Sequence, residues 1–177
     1  MPTYLGFLRA INLGAKRKFP KDAIRASVEQ AGFTDVATYI NTGNIRFTTA
    51  MRSRARIEAA LEEAFLADRG FEVRTIVYSA AEFARIGEDA ASLADPATVR
   101  HYVMLLKDEP DAEAVATLEA LAKNGHRVVV RNRAVHLLLG SQWREGMTDP
   151  LGLDRRLDGV VTSRNVTVVS ALAQQWC

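Results

Sequence analysis

Cysteine is almost absent from this chain of 177 residues; the single one, Cys177, is the last residue. That rules out a disulfide framework and a cysteine-built metal knuckle, and it points to a reducing compartment, the cytoplasm. Histidine is nearly as scarce. His101 and His136 fall on neighbouring segments without a third ligand, and His126 follows a helix-stop glycine, so no metal is expected. Long apolar runs are missing as well. Residues 103–106 are far too few to span a bilayer, and residues 1–10 alternate like a strand instead of forming a secretory leader, so no membrane partner is expected. The motifs GxxxxGK[ST], GxSxG, HExxH and the RNP1 octamer do not occur. No nucleophile or general base stands out, so the catalytic residues are unknown, no cofactor is expected, and the reading leans away from an enzyme.

What is present suits a folded protein. Hydrophobic residues make up 48% and charged residues 25% of the chain, which excludes wholesale disorder. A chain this long buries roughly 70% of the surface its unfolded form exposes. The formal charge of +2 is too small to indicate nucleic acid by itself.

The apolar spacing predicts a strand over 4–10, a helix over 20–31, a hairpin of 36–40 and 45–48, a helix over 53–69 and a strand over 73–78. Gly32-Phe33 and Gly70-Phe71 end the helices. The order βαββαβ is that of a ferredoxin-like unit. After 81–98, read as a connection, the pattern resumes with a strand at 99–106, a helix at 111–123 and strands at 127–131 and 134–139. The fold class is therefore α+β: two ferredoxin-like units in imperfect tandem, antiparallel sheets covered by helices. The units are 1–80 and 99–177, the second a modified βαββ with C-terminal helices. A short helix near 151–158 follows, and residues 162–165 precede the last helix.

In a sheet of order 4-1-3-2, the exit of strand one, the start of helix one and the tip of the first hairpin share one edge. That edge carries six basic residues against one acid within residues 1–25. Asn12, Asn41, Thr42 and Asn44 add neutral donors and acceptors, and Gly14 and Gly43 let a ligand approach the backbone. A helix start adds bare N–H groups. The competing reading is a solvated loop with ordinary turn residues. The corresponding loop of the second unit, 107–111, is acidic on balance, so basic loops are not generic to the topology.

With LRAINLGAKRKFP at 8–20 and TYINTGN at 38–44, the chain resembles the bacterial family named domain of unknown function 1697. That family reads Leu-Arg-Gly-Ile-Asn-Val-Gly-Gly in the first motif and Thr-Tyr-Ile-Gln-Ser-Gly-Asn in the second. Ala10 and Ala15 stand here at two of the glycines. Ser163-Arg164-Asn165 matches a third motif, an Arg-Asn pair before the last helix. Residues 140–150, GSQWREGMTDP, depart from the family's Ser-Lys-containing segment. The resemblance implies a two-unit α+β fold and no activity.

The motif positions give the candidate ligand-binding residues Arg9, Asn12, Gly14, Lys18, Thr42, Gly43, Asn44, Arg164 and Asn165, with the last two expected to reach the same edge. The leading expectation is a non-catalytic binding or regulatory module for an anionic group, on a phosphate-bearing small molecule or a nucleic acid. Base stacking on the sheet is not expected, because Arg46 and Thr48 occupy its open face. The alternatives are a protein-interaction or homodimer assembly module and, last, an enzyme of unknown reaction.

Overall fold

The structure is a computed structural model that describes residues 1–177. The chain divides into two compact units, Met1–Phe83 with Trp176–Cys177, and Ala84–Gln175. The first unit runs β1 (Thr3–Leu8), α1 (Lys21–Gln30), β2 (Thr34–Tyr39), β3 (Asn44–Thr48), α2 (Arg54–Arg69) and β4 (Thr75–Ser79). Its strands are antiparallel in the order β2-β3-β1-β4. This is the ferredoxin-like arrangement that the spacing of apolar residues predicts.

The side chains explain the layers. Tyr4 and Leu8 of β1, Ile45 and Phe47 of β3 and Val77 of β4 form one core with Ile24 and Val28 of α1 and Ile57, Leu61 and Phe65 of α2. Leu5 and Phe7 point to the other face and are also buried, Phe7 stacking on Phe83 at 5.0 Å. The helices stop where the sequence places glycine. Gly32 and Gly70 take φ of 87° and 74°, and the Gly70 N–H donates to the Leu66 carbonyl at 2.8 Å.

β4 lies at the edge of its sheet, so alternate N–H groups have no strand to pair with. Carboxylates take them instead. Thr75 N–H donates to Glu62 Oε1 at 2.9 Å, Val77 N–H to Glu58 Oε1 at 3.0 Å and Ser79 N–H to Glu82 Oε2 at 2.7 Å. Glu58 and Glu62 are one helical turn apart on α2, which sets them two strand residues apart along β4.

From β4 the chain enters α3 (Ala80–Ser92), a helix that occupies much of the segment read as a connection. The second unit runs β5 (Arg100–Leu106), α4 (Ala112–Glu119), β6 (Arg127–Arg131), β7 (Ala134–Leu139), α5 (Leu153–Arg156), β8 (Val161–Asn165) and α6 (Val166–Trp176). Its order, β6-β7-β5-β8, repeats that of the first unit. The βαββ pattern is thus completed by α5 and β8. Residues 162–165, to which the apolar spacing assigns no element, lie in a strand, because pairing with β5 (Val103 opposite Arg164) holds a polar segment extended. Polar side chains without alternation hid it. Edge strand β6 is guarded in the same manner, Val130 N–H donating to Glu119 Oε1 at 2.9 Å.

Candidate functional site

Beyond Leu8 the chain leaves the sheet through two left-handed residues, Ala10 (φ 56°) and Asn12 (φ 55°). Asn12 is tied on every side. Its Nδ2 donates to the Phe19 carbonyl at 3.1 Å and to the Asn41 carbonyl at 2.7 Å, and its Oδ1 accepts the Phe19 N–H at 2.8 Å. One amide thereby closes the 12–19 loop and binds it to the hairpin tip. Arg17 is a second tie. Its Nε donates to the Ala10 carbonyl at 2.6 Å and a terminal nitrogen to the Glu72 carbonyl at 2.7 Å, while the guanidinium lies 4.7 Å from the centre of the Phe71 ring. The α2–β4 connection joins the same edge through this residue.

The hairpin tip is equally constrained. Ile40 and Gly43 take positive φ, 50° and 76°, and the Gly43 carbonyl accepts the Leu8 N–H at 2.8 Å. Asn44 is buried and its Nδ2 donates to the Tyr39 carbonyl at 3.0 Å and to Thr42 Oγ1 at 2.9 Å. Four positive-φ residues in two adjoining loops, Ala10, Asn12, Ile40 and Gly43, form a rigid rim, since such backbone persists only where its surroundings enforce it.

A shallow depression of about 470 Å³ opens on this rim, lined by Asn12, Gly14, Lys18, Pro20 and Asn41. Pro20 precedes α1 without a side-chain cap, so the N–H groups of its first turn face outward with the positive end of the helix. Lys16, Lys18 and Lys21 are exposed around it. Asn12, Gly14 and Lys18 are therefore brought together, with Thr42, Gly43 and Asn44 in the adjoining tip. Arg9 stands at the exit of β1, its N–H donating to the Arg74 carbonyl at 2.8 Å.

Arg164 and Asn165 belong to the second unit. Arg164 is buried on β8, donating from Nη1 to Thr162 Oγ1 at 2.9 Å and to the Ser163 carbonyl at 2.7 Å. Burial pulls its guanidinium down to about 10, which leaves it charged at neutral pH. Asn165 Oδ1 accepts the Val168 N–H at 2.9 Å and so caps α6. Sequence reasoning missed the Asn41 carbonyl as the partner of Asn12, and it missed the roles of Glu58 and Glu62. A carboxylate beside the apolar stripe Ile57, Leu61 and Phe65 is the signal that marks Glu58.

His101 Nε2 and His136 Nδ1 are 3.0 Å apart in the second unit, reached across β5 and β7. Burial lowers both rings from 6.5 to about 4, with His101 and Arg131 pushing His136 the same way. Both are thus neutral at pH 7, and no cluster of three metal-ligating groups surrounds them. The unfolded chain takes up these protons near 6.5, whereas the folded chain resists until about 4. Stability should therefore fall as pH drops through that window, with a slope approaching about 1.4 kcal/mol per pH unit for each ring. Urea unfolding at pH 7, 6, 5 and 4.5 checks this, and the excess slope should vanish in the double variant His101→Gln/His136→Gln.

The fold and this rim define the class: a tandem of ferredoxin-like α+β units with a basic loop edge on the first. The chain belongs to the family described as protein of unknown function, DUF1697, whose family model matches residues 1–136. It is also similar to the solved structure of a conserved bacterial protein from Streptococcus pneumoniae. That likeness has a TM-score of 0.77 and 21% identity, covering 99% of this chain and 98% of that one, and it shows the shared fold. No curated protein matches the chain. No helix is long and apolar enough to cross a membrane.

Proposed function

We propose that the rim of the first unit binds an anionic group, a phosphate carried by a small molecule or a nucleic acid, and that the protein is a non-catalytic binding or regulatory module. The depression at the uncapped start of α1 carries this reading. There the Asn12 latch fixes Gly14, Lys18 and Asn41 around outward-facing N–H groups. A phosphate placed in it meets backbone donors and lysine charge together, the combination that favours anions at helix starts. Arg17 and Arg25 contribute little directly, because Arg17 ties the loop and Arg25 pairs with Glu29 at 2.9 Å. Lys18 is the side chain that a ligand meets first.

Inorganic phosphate should raise the melting temperature, since a ligand at a hundredfold its Kd stabilises by about 2.7 kcal/mol. Lys18→Ala should weaken the effect about tenfold, and added sodium chloride should suppress it. A melting temperature that follows only ionic strength, the same in phosphate as in chloride, would overturn the proposal.

A further inference from the structure

We propose that an acidic groove on the second unit receives the 13–18 loop of a second copy of this chain. The groove encloses about 540 Å³ beside α4, and Leu118 and Leu157 are among the apolar side chains that line it. Five carboxylates and a single guanidinium, Arg156, surround that apolar lining. Asp111 caps α4 by accepting the Ala114 N–H at 2.8 Å. Glu109, Glu113 and Asp158 are exposed at the rim. A fitting occupant must be cationic and must carry an aliphatic side chain for the lining.

The chain itself displays such a segment. Leu13 is 69% exposed and presents an aliphatic side chain, and Lys16 and Lys18 are exposed a few residues further on. Arg17 and Asn12 hold this loop rigid, so docking forfeits little conformational freedom. Both surfaces lie at the same topological edge of their units, the β1–α1 loop in the first and the β5–α4 loop in the second, with opposite charge. A repeat that inverts the sign of one edge joins copies head to tail. Such a contact is heterologous, and it closes into a ring or grows into a chain.

A single loop in a groove buries far less than the about 1,200 Å² of a stable interface, so the association should be weak and depend on concentration. Its charged contacts should also make it sensitive to salt. The contact uses the loop that bears the proposed anion site but does not depend on anion binding.

Light scattering or sedimentation velocity, from about 10 µM to about 1 mM in low salt, tests it. The average mass should rise with concentration and return to that of a monomer in about 0.5 M sodium chloride, where screening is nearly complete beyond a few ångströms. Lys16→Glu/Lys18→Glu and Glu109→Lys/Glu113→Lys should each be monomeric alone. Mixed in equal amounts they should associate again, since each then presents the charge that the other lacks. A wild-type chain that stays monomeric throughout, or a mixture that does not associate, overturns the proposal, leaving the groove to a foreign basic segment or to none. The groove variant keeps the whole 13–18 loop and should still be stabilised by phosphate, so the two readings can fail separately.

Discussion

Gly43→Val should lower the unfolding free energy by about 3 kcal/mol or more. Gly43 has φ 76° and ψ 45°, a left-handed conformation that costs a non-glycine residue about 1–2 kcal/mol. Space is short as well. A Cβ there would sit 2.7 Å from Leu8 Cβ and 2.9 Å from Ile11 Cδ1, both side chains buried in the core. Leu8 Cβ is fixed to the backbone of β1, which cannot retreat while the Leu8 N–H is bound to the Gly43 carbonyl, and the terminal methyl of Ile11 is itself buried. Overpacking of this kind adds about 1–3 kcal/mol. Gly43→Ala should fall between valine and wild type. Urea denaturation gives the order, and a loss below about 1 kcal/mol for valine would mean that the hairpin tip yields more readily than its contacts indicate.

Glu58→Ala should cost about 3 kcal/mol through a different cause. Glu58 is 3% exposed and its Oε1 accepts the Val77 N–H in the middle of edge strand β4. Removing the carboxylate strands a buried donor, worth about 1–3 kcal/mol, and leaves a void beside Ile57 and Leu61. Glu58→Gln keeps an acceptor of nearly the same shape and should cost distinctly less. Equal losses for Ala and Gln would show that charge, and not the hydrogen bond, is what the site requires. Hydrogen exchange at Val77 reports the same contact directly: the amide should be protected in wild type and in the glutamine variant and should exchange faster in the alanine variant.

The first unit was legible because its signals are local. Apolar residues recur at helical spacing in α2 and alternate in β3, and Gly-Phe pairs end both helices where the backbone turns left-handed. In the second unit the short helix and the terminal helix after β7 were legible too, and β8 between them was not. α5 has four residues where α2 has sixteen, and β8 is extended by its neighbour and not by its own pattern.

At the rim, proximity followed from topology, yet the roles of individual side chains did not. Asn12 reads as a ligand-facing amide, but its polar atoms are directed at Phe19 and Asn41. Arg17 reads as one charge in a basic run, but it pins the loop to Ala10 and Glu72. A residue name records what a side chain can donate or accept, and only the fold decides which partner stands within 3 Å. Ala10 shows the converse. It takes φ 56° at a position where the resembling motif has glycine, so strain sits where the sequence suggested only a small side chain.

The row of glutamates along β4 also limits how this sheet could be lengthened by another chain. An incoming peptide needs amides to accept from and to donate to, and on that side Thr75, Val77 and Ser79 already have their N–H groups engaged. Within the first unit, recruitment by strand addition is thus confined to β2. Fibrillar growth requires every added copy to offer two receptive margins, and a sheet with one margin shut ends such growth after a single step.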